Sequence, residues 1–203
     1  MTILSFPHDL AGMLAADGSI DLALNQPGYG ARVRRKQAWW GDSDEETVIG
    51  RRLEAFVADR DGWHVLHSVE LPSLDVDLDA IVIGPAGVFV VQAAYTPGSR
   101  VWAGGDAFIV EGRRTSTVVD ARMNALFTRS LLESKLGFMV PVSAIVVPVG
   151  ASQVDVPLMS DGVAVLEPEA LSWWLGQLAD PWPCHIAEST YDVARRSSTW
   201  DAA

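Results

Sequence analysis

The residues best placed to do chemistry are three aspartates, Asp75, Asp77 and Asp79, which occupy alternate positions just before an apolar run. Side chains two positions apart on a β-strand lie on the same face of the sheet, so the three carboxylates are expected to share a face. A short row of this kind is also typical of a strand face in contact with water, or of a turn cap. The pattern therefore leaves a functional pocket and a solvated surface as alternatives.

The segment around these aspartates predicts a β-hairpin. Residues 77–83 and 88–95 are rich in Val, Ile and Phe, as strands are, and turn residues at 84–87 separate them. The register of a hairpin is set by its turn, and a four-residue turn with paired end residues is the simplest assumption. This register decides which side chains face the aspartates.

The assumed register brings two pairs of side chains together. Asp79 faces Gln92 and Asp77 faces Ala94, and directly opposed side chains lie within about 5.5 Å of each other. The same face continues into apolar residues, so the carboxylate of Asp79 is expected to be partly enclosed and to need a partner. The side-chain amide of Gln92 can donate a hydrogen bond to it. We therefore predict a pocket of acids, an amide and a methyl group, with an Asp79–Gln92 hydrogen bond as one arrangement.

Elements on both sides of the hairpin predict the fold that positions this pocket. Apolar periods of two and 3.6 residues distinguish strands from helices. They predict strands at 63–71, 142–149 and 162–166 and around Gly104-Gly105, and helices at 44–59, 117–136, from 168 onward and at 187–196. In the helix at 117–136, the side chains predicted to face the core are Val119, Met123, Leu126 and Phe127. Strands around a long crossover helix predict an α/β fold, with a mixed central sheet flanked by helices.

Length and composition indicate one domain with an appendage. The chain has 203 residues, of which 49% are hydrophobic and 20% charged, enough for one full core. We predict a domain at 45–203 and an N-terminal arm at 1–44. The single cysteine, Cys184, and the lack of a signal-peptide pattern favour a cytoplasmic protein. No membrane span is expected, because turn residues interrupt the longest apolar stretch at 80–95.

Charge limits the partners that the chain is expected to bind. The formal net charge of -11 repels phosphate backbones, so affinity for nucleic acid is expected to be weak, and a protein partner or a second copy of the chain remains open. One basic and aromatic cluster in the arm predicts either a solvated linker or a contact surface for nucleic acid or an acidic partner. Its residues are Arg32, Arg34, Arg35, Lys36, Trp39 and Trp40.

The hairpin sequence resembles that of the nuclease-related domain (NERD), a family of the PD-(D/E)xK nuclease superfamily. The resemblance is carried by DLDAIVIGPAGVFVV at residues 77–91, with Gly98 and Trp102 where the family continues, and by RRSSTW at 195–200, which is similar to some members. It covers residues 45–200, and the hairpin is its specific part. The resemblance implies a restriction-endonuclease-like fold.

The resemblance also implies a site, from which this chain departs. Active members of the family hold a divalent metal between an Asp of the first hairpin strand and an acid of the second, with a Lys two residues further on. These positions correspond to Asp79, Gln92 and Ala94, with Asp77 as a further candidate metal ligand. Mg²⁺ or Mn²⁺ would be the cofactor of an active enzyme, and no other cofactor is implied.

Two of the three family positions are therefore altered. A Gln offers a carbonyl oxygen to a hard cation but no charge, and the missing Lys would orient and activate the attacking water. A positioned group of this kind contributes about 10² to 10⁴ in rate. Lys135 or Arg100 could reach back to replace it. The resemblance thus implies a nuclease-like fold with a degenerate, inactive site, unless a basic residue has moved.

Three functions remain open on this basis. The first is a catalytically impaired nuclease-related domain that acts as a binding or assembly module in a bacterial DNA-associated or defence system, a setting that only the resemblance implies. The second is a divalent-metal-dependent DNA nuclease that uses Asp79 and Gln92 with a displaced basic residue. The third is a structural homo-oligomer whose contacts are made by an exposed surface around Trp173, Trp182 and Trp200.

Overall fold

The computed structural model describes residues 18–27 and 42–201, which form two β-sheets flanked by helices. The helices are α1 (Asp42–Ala58), α2 (Thr117–Leu136), α3 (Leu171–Leu175) and α4 (Cys184–Ala194). The strands are β1 (His64–Leu71), β2 (Val76–Gly84), β3 (Gly87–Tyr95), β4 (Arg100–Gly104), β5 (Ala107–Val110), β6 (Arg113–Thr115), β7 (Val142–Val149), β8 (Gln153–Leu158) and β9 (Val163–Val165). Short 3-10 turns lie at Leu22–Leu24, Pro72–Leu74 and Ser197–Thr199. Among these described helices, none is both long enough and apolar enough to cross a membrane.

The central sheet has five strands in the order β1-β2-β3-β7-β9. Strand β2 is antiparallel to both β1 and β3, whereas β7 runs parallel to β3 and β9 runs parallel to β7. Parallel neighbours need a long crossover connection, and between β3 and β7 it contains β4 to β6 and α2. The predicted α/β fold with a mixed central sheet flanked by helices is confirmed. It is consistent with the restriction-endonuclease-like fold that the resemblance implies.

The second sheet has four strands in the order β6-β5-β4-β8. Its central pair corresponds to the predicted strands around Gly104-Gly105, which form the turn between β4 and β5. The sequence pattern does not predict β6 or β8. Strand β6 is exposed throughout and has no apolar period. Strand β8 has a short one, with Val154 and Val156 partly buried against the larger core, but it contains Pro157, and a Pro within such a run argues against a strand.

Alternation along the central strands divides the core in two. In β2, Ile81 and Ile83 belong to the larger core, which also contains buried residues of the second sheet, α2 and α4. Their neighbours Ala80 and Val82 belong to the smaller core beneath α1 and α3. A strand buried on both faces is apolar at successive positions, which explains the nearly continuous apolar run of the hairpin.

Helix α2 has the predicted bounds, but it does not bury the predicted face. Val119, Met123 and Leu126 are 39%, 57% and 45% exposed, while Phe127 is partly buried against the larger core. The buried residues of the helix are Val118, Ala121, Ala125, Thr128 and Leu132. The small side chains of this face let the helix approach the sheet closely, so the three larger ones face water. The prediction that Val119, Met123 and Leu126 face the core is wrong.

Part of the predicted arm packs against the domain. Leu22 is buried in the larger core, and the backbone N–H of Ile20 donates to the hydroxyl of Ser197 at 2.9 Å. The guanidinium of Arg195 donates to both carboxylate oxygens of Asp21 and holds the pKa of this acid below its usual range. The predicted contact residues of the arm lie outside the described residues, namely Arg32, Arg34, Arg35, Lys36, Trp39 and Trp40.

The three tryptophans predicted to form an exposed surface differ in their environments. Trp173 is 67% exposed, and Trp182 is partly buried against the larger core. Trp200 is only 1% exposed, and its Nε1 donates to the carbonyl oxygen of Ala194 at 2.8 Å. The 3-10 turn Ser197–Thr199 brings this ring back onto the end of α4. Trp200 is therefore a core residue, and the prediction that it contributes to a contact surface is wrong.

Candidate functional site

The candidate site lies where β2 and β3 separate. The two strands pair from Gly84 with Gly87 as far as Ala80 with Val91. Beyond that point β2 remains paired with β1, and β3 remains paired with β7. The sheet therefore opens into a fork, with Asp77 and Asp79 on the β2 side and Gln92 to Ala94 on the β3 side.

The predicted register of the hairpin holds only as far as the fork. The pairing of Gly84 with Gly87, and each pair as far as Ala80 with Val91, follows the predicted register. The predicted oppositions of Asp79 with Gln92 and of Asp77 with Ala94 fall beyond the last pair. Each strand there follows its outer neighbour, so these residues lie beyond the end of the β2–β3 ladder and are not paired with one another.

Asp79 lies at the base of the fork. Its Oδ2 accepts a hydrogen bond from the backbone N–H of Ala93 at 2.7 Å. The carboxylate thus accepts a hydrogen bond from a peptide N–H of β3 that no longer has a partner in β2. Hydrogen bonds to a charged carboxylate are among the stronger ones in proteins. Asp79 therefore has a structural role in the fork that does not depend on any bound ion.

Gln92 supplies the fork with a buried acceptor. Its side-chain Oε1 is buried and accepts no hydrogen bond within the described part of the chain. The hydrogen bonds of this part include none from Gln92 to Asp79, which is bonded to the backbone of Ala93 instead. An unsatisfied buried polar group costs about 1–3 kcal/mol and is typical of sites that bind a ligand. Oε1 of Gln92 is therefore a buried acceptor at the end of the ladder for which the described residues supply no donor.

Ala94 lies on β3 two residues after Gln92, where the resemblance would place the family's lysine. It is partly buried and packs against the larger core. A methyl group cannot donate a proton or stabilise negative charge.

The two basic residues that could replace this lysine lie elsewhere. Arg100 has a side chain that is 74% exposed, with its Nε 3.9 Å from Oε1 of Glu111 on the second sheet. Lys135 is exposed in the last turn of α2. The chain re-enters the sheet soon after that turn, at the start of β7, where Val142 pairs with Val88 near the hairpin turn. Gln92 lies four residues further along β3, roughly 13 Å away, so Lys135 is at the wrong end of the sheet.

The oxygen ligands of the fork fit a divalent cation poorly. Mg²⁺ requires near-octahedral coordination by oxygen and usually binds through carboxylates. The residues at the fork are Asp77, Asp79 and the neutral amide of Gln92, and Oδ2 of Asp79 already accepts a hydrogen bond from the backbone N–H of Ala93. In the described ranges, no three His, Cys, Asp or Glu side chains are arranged to hold a metal ion.

A buried histidine lies beside the fork, on the other edge of β2. His67 pairs with Ala80, and its ring is buried, with no hydrogen bond to either nitrogen in the described residues. Oε1 of Glu54 is 3.6 Å from Nε2, beyond hydrogen-bonding distance. The absence of a side chain at Gly50 lets α1 pack against Pro27, because a Cβ there would be 2.4 Å from the Cβ of Pro27, and it would also be 3.3 Å from Cε1 of His67. Strand β1 also contains His64, Ser68 and Glu70, so the sequence pattern alone does not single out His67 as buried.

Burial lowers the pKa of His67 from 6.5 to about 4, so the folded protein resists protonation that the unfolded chain accepts. Below pH 6.5 the unfolded state binds more protons, and stability falls as the pH decreases toward 4. We expect His67 to account for a loss of about 3 kcal/mol in the free energy of unfolding over this range. Urea denaturation at a series of pH values measures it.

His67→Leu is expected to flatten this pH dependence, whereas His185→Leu should leave it unchanged because His185 is exposed. Equal slopes for the wild type and His67→Leu would contradict the assignment. The stability of each variant at pH 7.5 gives the common reference.

Comparison with known proteins identifies one family. The family model of the nuclease-related domain matches residues 41–149. The matched region runs from the start of α1 to the end of β7 and contains both sides of the fork. Neither the curated proteins nor the solved structures provide a significant match to the chain.

Proposed function

Because this chain belongs to the nuclease-related domain family, we propose that it is a catalytically impaired member that serves as a binding or assembly module. The observation that carries the proposal is Ala94, whose methyl group packs against the larger core at the position of the catalytic lysine. Arg100 and Lys135 do not compensate for it, since one is near Glu111 and the other is at the opposite end of the sheet.

The chemistry of the fork supports a ligand that donates hydrogen bonds. Oε1 of Gln92 is a buried acceptor without a donor in the described residues, and the net charge of the whole chain is -11. Such a surface repels phosphate and favours a cationic or amide-bearing group. We therefore propose a protein segment as the ligand of the fork, in the bacterial DNA-associated or defence setting that the family resemblance implies.

The retained acids also define a second candidate function, a divalent-metal-dependent DNA nuclease that uses Asp79 and Gln92. The observation in its favour is the buried Oε1 of Gln92, which has no donor in the described residues and could face a cation. It would still need a base from outside the fork. The two functions differ in one measurable property, the hydrolysis of DNA.

Incubation of the purified chain with plasmid and linear duplex DNA, with Mg²⁺ and separately with Mn²⁺, tests the proposal. We expect no cleavage above background, and no difference between the wild type and Asp79→Asn. The asparagine variant is the matched control because its amide oxygen can still accept the N–H of Ala93, so the fork keeps its shape. Cleavage by the wild type that Asp79→Asn abolishes would refute the impaired-enzyme proposal and support the nuclease.

A further inference from the structure

A cavity of about 420 Å³ lies at the end of the central sheet that carries the turn between β2 and β3. The backbone N–H of Trp182, in the segment between α3 and α4, donates to the carbonyl oxygen of Pro85 in this turn at 3.0 Å. A Cβ at Gly62, in the turn after α1, would be 3.7 Å from Cγ of Pro85 and 3.9 Å from Sγ of Cys184. Three segments therefore meet around the cavity, and its volume is in the range of small-molecule sites.

The apolar part of the lining is held in place. Trp63 belongs to it, and this side chain is only 8% exposed. A Cβ at Gly84 would be 2.4 Å from the indole ring. The ring also meets Phe56 edge to face, with centroids 5.0 Å apart, and stacks on Phe89 at 6.4 Å. The other large apolar side chains of the lining include Leu175, Leu178 and Trp182. The cavity thus offers a rigid apolar surface, which suits an aromatic or a branched aliphatic group.

Arg60 gives the same lining a fixed positive charge. Its Nη1 donates to the carbonyl oxygen of Phe56 at 3.1 Å, and its Cζ lies 4.2 Å from the centroid of the Phe56 ring. A Cβ at Gly176, which also lines the cavity, would be 3.4 Å from Nη2. The ion pairs of the described residues do not include Arg60. Its guanidinium is therefore positioned for a carboxylate, which this planar group binds better than any other cationic side chain does.

Two carboxylates line the cavity without neutralising this charge. Asp61 and Asp180 are both exposed, and neither forms an ion pair with Arg60. Carboxylates accept hydrogen bonds from an ammonium group, so the lining suits a cationic group as well as an anionic one. The net charge of -11 repels a ligand that is anionic as a whole. A zwitterion, which is neutral as a whole, makes both kinds of contact without that repulsion.

We propose that the cavity binds a free α-amino acid with a large apolar side chain. The carboxylate of the ligand pairs with Arg60, and its side chain packs against Trp63. Its ammonium group lies in the field of the carboxylates of Asp61 and Asp180. Each of the three groups that define this class of ligand thus has a partner of matching chemistry. The fork begins at Ala80, roughly 13 Å along β2 from the hairpin turn, so the site is separate from that of the proposed function.

Calorimetric titration of the wild type tests the class of ligand. We expect L-phenylalanine and L-leucine each to bind with one molecule per chain. N-acetyl-L-phenylalanine lacks the ammonium group and L-phenylalaninamide lacks the carboxylate, so each should bind at least about tenfold more weakly than L-phenylalanine because it loses charged hydrogen bonds. If neither amino acid binds, or if either derivative binds as tightly as L-phenylalanine, the proposal is wrong.

A variant and the thiol of Cys184 test the position of the ligand. Arg60→Gln should weaken the binding of L-phenylalanine at least about tenfold. Arg51→Gln is the matched control and should bind as the wild type does, since Arg51 is exposed on α1 and does not line the cavity. Cys184, the single cysteine, is exposed and lines the cavity, so bound L-phenylalanine should slow its alkylation by iodoacetamide.

The alkylation experiment uses the wild type and does not depend on the folding of Arg60→Gln. Slower alkylation in proportion to the occupied fraction of the chain would support the proposed site. Binding of L-phenylalanine that leaves the alkylation rate of Cys184 unchanged would overturn it, as would equal affinities in the wild type and a folded Arg60→Gln variant.

Discussion

A chain that carries both Gln92→Glu and Ala94→Lys is expected to cleave duplex DNA with Mg²⁺ at least about 10²-fold faster than the wild type. The first substitution adds the negative charge that a hard cation prefers to a neutral amide. The second adds an ammonium group at the partly buried position beside it on β3. Initial rates on a linear duplex, with Mg²⁺ and with a chelator, measure the gain.

Two controls separate this gain from a general effect of added charge. Gln92→Glu combined with Ala93→Lys places the new ammonium on the adjacent residue, whose side chain packs against the smaller core on the opposite face of the sheet. No gain is expected there. Adding Asp79→Asn to the variant with Gln92→Glu and Ala94→Lys should remove the gain in cleavage rate. If the variant with Gln92→Glu and Ala94→Lys folds normally but cleaves DNA no faster than the wild type, then the chain lacks further residues that the nuclease activity needs.

Trp200→Ala is expected to lower the free energy of unfolding by about 3–5 kcal/mol. The indole is 1% exposed within the larger core, so its removal leaves a cavity that the surrounding side chains cannot fill completely. The substitution also removes the donor to the carbonyl oxygen of Ala194, and a buried acceptor without a donor is costly. Urea denaturation followed by circular dichroism measures the loss.

Trp173→Ala provides the matched control. The residue type and the substitution are the same, but Trp173 is 67% exposed, and surface substitutions of this kind change stability by about 0.5 kcal/mol or less. A similar loss in both variants would contradict the assignment of Trp200 to the core. Unchanged stability in Trp200→Ala would contradict it as well.

The hydrogen bond of Asp79 bears on how the family's acidic residue is interpreted in this chain. Its carboxylate accepts the N–H of Ala93 where the two strands diverge, and loss of that acceptor would leave the peptide group unsatisfied. The fold therefore has its own reason to keep an acid at this position. The presence of Asp79 alone is thus weak support for catalysis.

Local sequence determined most of the elements and the composition of the hairpin. The bounds of α2 and β7 agree with the predicted ranges because an apolar period and a terminal Gly137, in a left-handed conformation, are local properties. The register near the turn is also local, since Gly84 and Gly87 set it. These features need only neighbouring residues for their explanation.

The tertiary structure alone decided how far the hairpin remains paired, which face of α2 is buried and where Trp200 lies. The ladder ends at Ala80 because β2 follows β1 and β3 follows β7 from that point. Helix α2 has apolar residues on two faces, and a period cannot tell which of them meets the sheet, because close packing against small side chains outweighs the burial of larger ones in this case. Each of these three features depends on contacts between segments that are remote in sequence, so the pattern of a single segment cannot predict it.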